Sequence, residues 1–307
     1  MFDDPEIQRI HRSAVRSIER VVEETAEPTP ADEALRSIAR QLTAGPVLAL
    51  TGAGISTDSG VPDYRSPGGR LSNGRPMTYQ EFAHSPEALH RYWARAFIGV
   101  KHMRSVAPNR SHYALVELER AGMVRGVVTQ NVDGLHKRAG TRNLLPLHGG
   151  MEHVVCLDCG FQEERSLFDE RLAAANPNYY VDTTGYQINP DGDIELPDSV
   201  VKDFQMITCA NCGKARLKPD VVYFGESVPR DRREAVQHWL EESTSLLVVG
   251  SSLAVMSGYR IVLDALRQDK PVAVINGGPG RADQKVTTLW RTRIGPALDA
   301  ILDEVGL

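Results

Sequence analysis

Apolar residues recur along this chain at two alternating periods, and the alternation sets the fold class. Ile7, Ile10, Ala14, Ile18 and Val21 share one helical face, predicting an amphipathic helix over 6–22 in a peripheral or partner-facing role. EETAEPTPAD (23–32) is acidic and proline-bearing and predicts a linker. Thr29-Pro30 opens a second helix, with threonine as N-cap, proline at the first position, and Ala34, Leu35, Ile38, Ala39 and Leu42 inward. Gly45-Pro46 ends it, and Val47–Leu50 is short, apolar and strand-like. From Tyr79 to about Val106 the pattern is again helical, with Phe82, Leu89, Trp93, Phe97 and Val100 apolar, and Asn109–Arg120 follows as another helix. Val124–Thr129 has the β-branched content of a buried strand. Strand character returns at 217–226, Leu246–Val249 and Pro271–Ile275, separated by helical patterns at Asp231–Glu242 and Tyr259–Gln268. Ala297, Leu298, Ile301, Leu302 and Val305 close the chain at helical spacing.

The strands end in small or polar residues: Gly52 and Gly54, then Gly250-Ser251-Ser252, then Asn276-Gly277-Gly278. A polar cluster, Gln130, Asn131 and Asp133, follows Thr129 in the same way. Open α/β sheets bind ligands at the carboxyl ends of their strands. The expected fold is therefore α/β, a doubly wound parallel Rossmann-like sheet with a ligand along one edge. TGAGISTDSG alone leaves two readings open, a nucleotide-binding turn or a plain tight turn, since Thr57 stands where a dinucleotide fingerprint has glycine. The stretch 61–78 is turn-rich and long for a connection, so it is a candidate ligand-covering loop whose Asp63 and Arg65 could orient a substrate or pair with each other.

Composition narrows the picture. At 307 residues and 41% hydrophobic, the chain can bury one large core and a smaller module. A net charge of −5 gives no electrostatic reason to expect nucleic acid or a membrane surface as partner. No run approaches the roughly twenty apolar residues of a membrane span. The N-terminus has neither the apolar core of a secretion signal nor the acid-poor composition of a transit peptide, so a soluble cytoplasmic protein is expected.

The four cysteines form two Cys-x-x-Cys pairs, Cys156/Cys159 and Cys209/Cys212, each followed by glycine. Four thiolates close a tetrahedron and leave no catalytic position, so one structural Zn2+ is expected rather than a redox dithiol. Forty-nine residues (160–208) separate the pairs, wider than in a compact zinc ribbon, and 176–193 has the polar composition of an inserted excursion. The expected organisation is an N-terminal extension and linker (1–30), a sheet domain (31–147 and 217–307) with a helical insertion at about 62–112, and a small zinc-binding module (148–216).

GAGIS (52–56), PDYR (62–65), TQNVDGLH (129–136), LHGG (147–150), the two cysteine pairs, KPDVVYFGE (218–226), GSSL (250–253) and IN (275–276) occur in one order. That order resembles the sirtuins, NAD-dependent protein deacylases, over about residue 32 to the C-terminus. RYWARAFIG (91–99), CLDCG and LKPDVVYFGESV are most similar to class II sirtuins. The resemblance implies NAD across the sheet edge, in a cleft between the two domains. Gly52, Ala53, Gly54, Ile55, Asp63, Tyr64 and Arg65 would form the cofactor loop. Gln130, Asn131 and Asp133 would hold the nicotinamide and its ribose, and Gly250, Ser251, Ser252, Asn276, Gly277 and Gly278 the adenosine half, with Ile294 against the adenine.

His148 would be the general base, a neutral imidazole accepting a ribose hydroxyl proton, with Asn131 and Asp133 also catalytic. By itself His148 could equally be a satisfied histidine before a Gly-Gly turn. Acylated-lysine proteins would be the substrates, and the products free lysine, nicotinamide and O-acyl-ADP-ribose. The peptide would add as a strand between Gly225-Glu226 and the segment after Val255, with Val222 and Phe224 nearby. Three positions depart from the family's usual pattern: Tyr64 for phenylalanine, Val132 for isoleucine, and Met256-Ser257-Gly258-Tyr259 for a proline-aromatic continuation. Tyr92 and Arg95, one turn apart on a predicted helix, are similar to the pair that reads acidic acyl groups in desuccinylating sirtuins, so an acyl group larger or more acidic than acetyl is one expectation. An arginine bonded to a nearby carboxylate is the other. Mono-ADP-ribosyl transfer and a non-catalytic NAD-binding zinc module remain as alternative activities, and the oligomeric state is left open.

Overall fold

The computed structural model describes residues 3–65, 71, 75–181, 189, 192 and 194–307, the side chains of 101 and 102 excepted. The predicted loop 61–78 and excursion 176–193 therefore lie partly outside the described residues. The chain opens with α1 (Pro5–Ile18), α2 (Ala31–Ala44) and β1 (Val47–Thr51), and a 3-10 turn at Ala53–Ser59 follows directly. Next come α3 (Tyr79–His84), α4 (Pro86–Ser105), α5 (Arg110–Arg120), β2 (Val124–Thr129), α6 (Leu135–Ala139) and β3 (Leu144–Pro146). Then follow β4 (Gly149–Cys156), β5 (Gln162–Glu164), α7 (Arg165–Ala175), α8 (Asp198–Val201) and β6 (Leu217–Val221). The last part holds α9 (Arg230–Glu241), β7 (Ser245–Val249), α10 (Met256–Arg267), β8 (Val272–Asn276), β9 (Thr288–Arg291) and α11 (Ile294–Val305).

Contacts divide these elements into two compact units. The sheet unit comprises Glu19–Gly74, Ala107–Leu147 and Val228–Leu307. Its six strands run in the order β3-β2-β1-β7-β8-β9, every neighbouring pair parallel. All residues of β1, β7 and β8 are buried, as central parallel strands covered on both faces must be. Side chains alternate between two cores. Val47, Ala49, Leu247, Val249, Ala273 and Ile275 pack with α2, α5 and α11. Leu48, Leu50, Leu246, Val248, Val272 and Val274 pack with α9 and α10. The fold is the expected doubly wound α/β sheet. The strand order reverses at β1, where the chain first builds β2 and β3 on one side and later β7, β8 and β9 on the other. The carboxyl ends of β1 and β7 flank that switch point.

The second unit comprises Met1–Ile18, Arg75–Val106 and His148–Ser227. A three-stranded antiparallel sheet, β5-β4-β6, packs with α4, α7 and α8 over Trp93, Phe168, Leu172, Phe204 and Leu217. The buried Trp93 indole donates to the Leu217 carbonyl at 2.8 Å, which ties α4 to β6. Helix α1 belongs to this unit, burying Ala14 and Ile18, while His11 Nδ1 lies 3.0 Å from the Thr78 hydroxyl.

Several expectations shift locally. The helix expected over 79–106 is two, because Pro86 drives Ser85 into extended backbone (φ −122°) and starts a new helix. Thr29 is no N-cap: its amide donates to the Leu289 carbonyl and its hydroxyl accepts from the Leu289 amide, so it joins the linker to β9. Strand β6 stops at Val221, and Phe224 beyond it makes a single parallel bridge with Thr78.

Candidate functional site

The glycine turn after β1 is shaped first by packing. A Cβ on Gly54 would stand 2.9 Å from the Gly250 carbonyl oxygen, and one on Gly52 would meet Ser251 Cβ at 2.7 Å. Gly250 has φ +66°, and its own Cβ would fall 2.5 Å from the Ile55 amide nitrogen. Gly52, Gly54 and Gly250 thus bring the turns after β1 and β7 into backbone contact at the switch point. The Gly54 amide donates to the Gly250 carbonyl at 2.9 Å, and the same Cβ on Gly250 would also meet Ile294 Cδ1 at 2.7 Å. The open reading of this turn gains a structural half: the glycines are required whether or not a phosphate approaches.

The polar cluster after β2 is wired to that turn. The Asn131 amide donates to the Gly52 carbonyl (3.2 Å) and to the Ser56 hydroxyl (3.1 Å). Ser56 donates to Asp133 Oδ2 at 2.7 Å, and Asp133 Oδ1 accepts from the Leu135 amide at 2.9 Å. Asp133 is thereby held as an acceptor by donors on both oxygens. The Gln130 carboxamide accepts from the Ser251 hydroxyl at 2.7 Å and packs where a side chain on Gly258 would clash. Gln130, Asn131 and Asp133 are half-buried, so each keeps a face toward solvent. Ser252 is half-buried, Gly277 is exposed, and the Asn276 amide is committed to the Gly278 carbonyl at 2.7 Å. In the preceding loop Asp63 accepts from the Arg65 amide, Tyr64 is half-buried, and the buried Arg65 guanidinium reaches the Arg20 carbonyl at 3.5 Å. Carboxamide, carboxylate, hydroxyls and free backbone along one sheet edge suit a ligand with amide, ribose and phosphate groups.

Ser56, Thr51, Thr129, Asn109, His112 and His136 complete this network, and none was foreseen. Asn109 caps α5 and also donates to the Ile55 carbonyl at 2.8 Å, clamping the 3-10 turn. Its helix-capping pattern is readable in the sequence, but its reach to residue 55 is not.

In the second unit the four cysteine sulfurs lie within 4.8 Å of one another, with Cys156–Cys212 at 3.6 Å and Cys159–Cys209 at 3.8 Å. A tetrahedron with metal–sulfur bonds of about 2.3 Å has edges of about 3.8 Å, so the donor set fits one zinc ion. The two knuckles are conformational copies. In each, the glycine amide donates to the first cysteine's carbonyl, Gly160 to Cys156 and Gly213 to Cys209, both at 2.9 Å. The first cysteine's amide donates in turn to the residue five positions on, Phe161 and Lys214. The Phe161 amide and then the Asn211 carboxamide lower the Cys159 thiol to about 6, so a thiolate forms easily at this corner. The four cysteines are positioned to bind one zinc ion.

His148, at the start of this unit, is half-buried, and its carbonyl accepts from the Val222 amide at 2.8 Å. Tyr92 is buried, its ring against Phe82, Trp93 and Tyr223, while Arg95 one turn on is half-buried. Gln80 donates to the Gly225 carbonyl at 3.1 Å, and Glu226 accepts from Lys218 (3.1 Å) and the Tyr223 amide (2.9 Å). Val222 and Phe224 are half-buried on the same segment.

Residues 52–257 match the Sir2 family model. The chain belongs to the Sir2 family. It is 59% identical over 276 residues to NAD-dependent protein deacetylase 1 of Corynebacterium efficiens, covering 89% of this chain and 98% of that protein. It is 43% identical to the human mitochondrial NAD-dependent protein lipoamidase sirtuin-4, over 90% of this chain and 88% of that one. Among solved structures, a Sir2–p53 peptide–NAD+ complex superposes with a TM-score of 0.69 at 26% identity, over 89% of this chain and 98% of that chain. The match to the Sir2 family model runs from the glycine turn after β1 to the start of α10 and takes in both cysteine pairs within its range.

Proposed function

We propose that this chain is an NAD-dependent protein-lysine deacylase. The observation that carries the reading is the Asn131–Asp133 pair, half-exposed and tied through Ser56 and the Gly52 carbonyl to the glycine turn at the switch point. The names and contents of its relatives support it: a deacetylase at 59% identity, and a Sir2 complex holding both peptide and NAD+. Bound NAD would supply an electrophilic ribose carbon once its nicotinamide bond is strained. Gly52, Ala53, Gly54, Ile55, Asp63, Tyr64 and Arg65 would hold the phosphate and ribose side, Gln130, Asn131 and Asp133 the carboxamide and ribose, and Gly250, Ser251, Ser252, Asn276, Gly277 and Gly278 the adenosine half, with Ile294 against the adenine. Asn131 spends both side-chain N–H donors on Gly52 and Ser56, so its carboxamide oxygen and the Asp133 carboxylate are the acceptors left for the NH2 of a nicotinamide carboxamide. His148 would take the ribose hydroxyl proton at an imidazole nitrogen as general base. Cys156, Cys159, Cys209 and Cys212 hold zinc and take no part in the chemistry.

We assign the cofactor to the part spanning 31–147 and 217–307, of which the insertion Arg75–Val106 and the segment 217–227 group with the zinc module of 148–216. We assign the protein to the cytoplasm; among the described residues no helix is long and apolar enough to cross a membrane. Incubating the protein with NAD and a panel of acyl-lysine peptides, and reading product mass, tests the activity. O-acyl-ADP-ribose with free lysine is expected, and a labelled protein without it would favour ADP-ribosyl transfer.

We propose that the preferred acyl group is larger or more acidic than acetyl. Arg95 on α4 supports this, as does a relative named a lipoamidase at 43% identity. Arg95→Ala should lower turnover of succinyl- or glutaryl-lysine at least tenfold while sparing acetyl-lysine and the uncharged lipoyl-lysine. Equal losses on all acyl groups would remove Arg95 from acyl selection.

A further inference from the structure

Two buried histidines of the sheet unit have no part in the chemistry above. His112, on α5, accepts the Asn109 amide at Nδ1 (3.3 Å), so its proton sits on Nε2, which meets no partner among the described residues. His136, on α6, is 1% exposed and places Nε2 2.9 Å from the Thr51 hydroxyl. That hydroxyl donates to Thr129 Oγ1 at 2.9 Å, so its oxygen is left to accept, and His136 must carry its proton on Nε2. Thr129 Oγ1 also accepts the Asn131 amide at 3.1 Å. The polarity is thus set from end to end: His136 Nε2–H to Thr51, Thr51 to Thr129, and Asn131 N–H onto Thr129 Oγ1. Thr51 and Thr129 are buried at the carboxyl ends of paired strands β1 and β2, where their Cα atoms are register partners. The rings of His112 and His136 lie 4.8 Å apart at 63°, an edge-to-face contact between the two imidazoles.

We propose that His136 is a positioning residue that, through the Thr51 and Thr129 hydroxyls, sets the backbone of Asn131 for the cofactor. Breaking a link of this chain strands a donor in the interior, and His136 Nδ1, which has no partner among the described residues, offers no alternative anchor. The Asn131 amide is its last member, and the Asn131 side chain reaches the Gly52 carbonyl and Ser56 from that fixed backbone. Its size and burial would make His136 an ordinary core residue; the one-way proton order gives it a second task.

The inference rests on the cofactor role given to Asn131, so the test has an arm that does not. Four variants are compared with the full-length wild type: His136→Leu and Thr51→Val, which break the chain, and His136→Gln and Thr51→Ser, which keep a donor or hydroxyl. In the protein without cofactor, amide exchange at Asn131 should quicken about tenfold in the breaking pair, the size of one buried hydrogen bond, and return toward wild type in the conservative pair. In the deacylation assay the breaking pair should raise KM for NAD by a similar factor with peptide KM unchanged, again with rescue. Unchanged exchange in Thr51→Val, an isosteric change, would overturn the proposal, as would equal damage by Thr51→Ser and Thr51→Val. Expected exchange behaviour without any O-acyl-ADP-ribose from wild type would overturn the deacylase reading and leave the positioning of Asn131 standing.

Discussion

Acidification should loosen the sheet unit at a rate set by two imidazoles. Burial lowers His136 to about 3 and His112 to about 4, in the second case against the pull of nearby Asp133, whereas both titrate near 6.5 when unfolded. Between about pH 6.5 and 4 the unfolded chain therefore binds two protons that the folded chain refuses, and stability falls as pH falls. Each imidazole contributes about 1.4 kcal/mol per pH unit where only the unfolded form is charged. From pH 6 to 5 most of that applies to both, giving a loss of about 2 kcal/mol. The carboxylates with lowered pKa values (Glu81, Glu87, Asp158 and Glu242) give up their stabilisation only below about pH 4.5, so the window from 6 to 5 belongs to the histidines. Thiolates at the zinc site also titrate in acid, so global melting is the wrong assay. Hydrogen exchange of the Val124–Thr129 and Ser245–Val249 amides, corrected for intrinsic rates, reads the sheet unit alone. Each single His→Gln variant should roughly halve the slope. An opening free energy that stays flat from pH 6.5 to 5, or a slope unaltered in both variants, would refute the reasoning.

Two further expectations concern packing and metal. Gly250→Ala should cost more than about 3 kcal/mol, since a left-handed φ combines with backbone contact at 2.5 Å, and Gly54→Ala somewhat less; denaturant midpoints of the two variants give the order, and a reversed order would contradict the close approach. Removing zinc with a chelator, or Cys212→Ser, should unfold β4 to β6 by circular dichroism and exchange; cobalt added to the apo-protein should give a tetrahedral tetrathiolate spectrum, absent in the variant.

The central strands were legible because they are buried: β1, β7 and β8 read as short apolar runs and β2 by its β-branched Val124, Val127 and Val128, and each lies within one residue of its expected bounds. Short or partly exposed strands were not. β3 and β5 have three residues each, and β4 mixes Glu152 and His153 with Val154 and Val155, so neither period emerges. Thr29 illustrates a local rule losing to a distant partner, since its hydroxyl meets Leu289 rather than the helix it precedes. The same division holds at the site. Gln130, Asn131 and Asp133 follow a readable strand, whereas Ser56 and Thr51 become members of the network only when residues 74 or more positions apart are brought together. His136 lies in a recognisable motif, yet its proton order depends on hydroxyls from two strands.

The place of β1 at the centre of the sheet has a consequence for synthesis. Its two partners lie far along the chain, Val124 on one side and Ser245 on the other, both opposite Val47. At roughly 5–20 residues per second, β7 follows β1 from the ribosome by about 10–40 s. Throughout that interval five consecutive β-forming residues, Val47–Thr51, have one of their two edges unpaired. The nascent chain is therefore a natural client for a holding chaperone until residue 249 has emerged, and slowing translation beyond β2 should raise its tendency to aggregate.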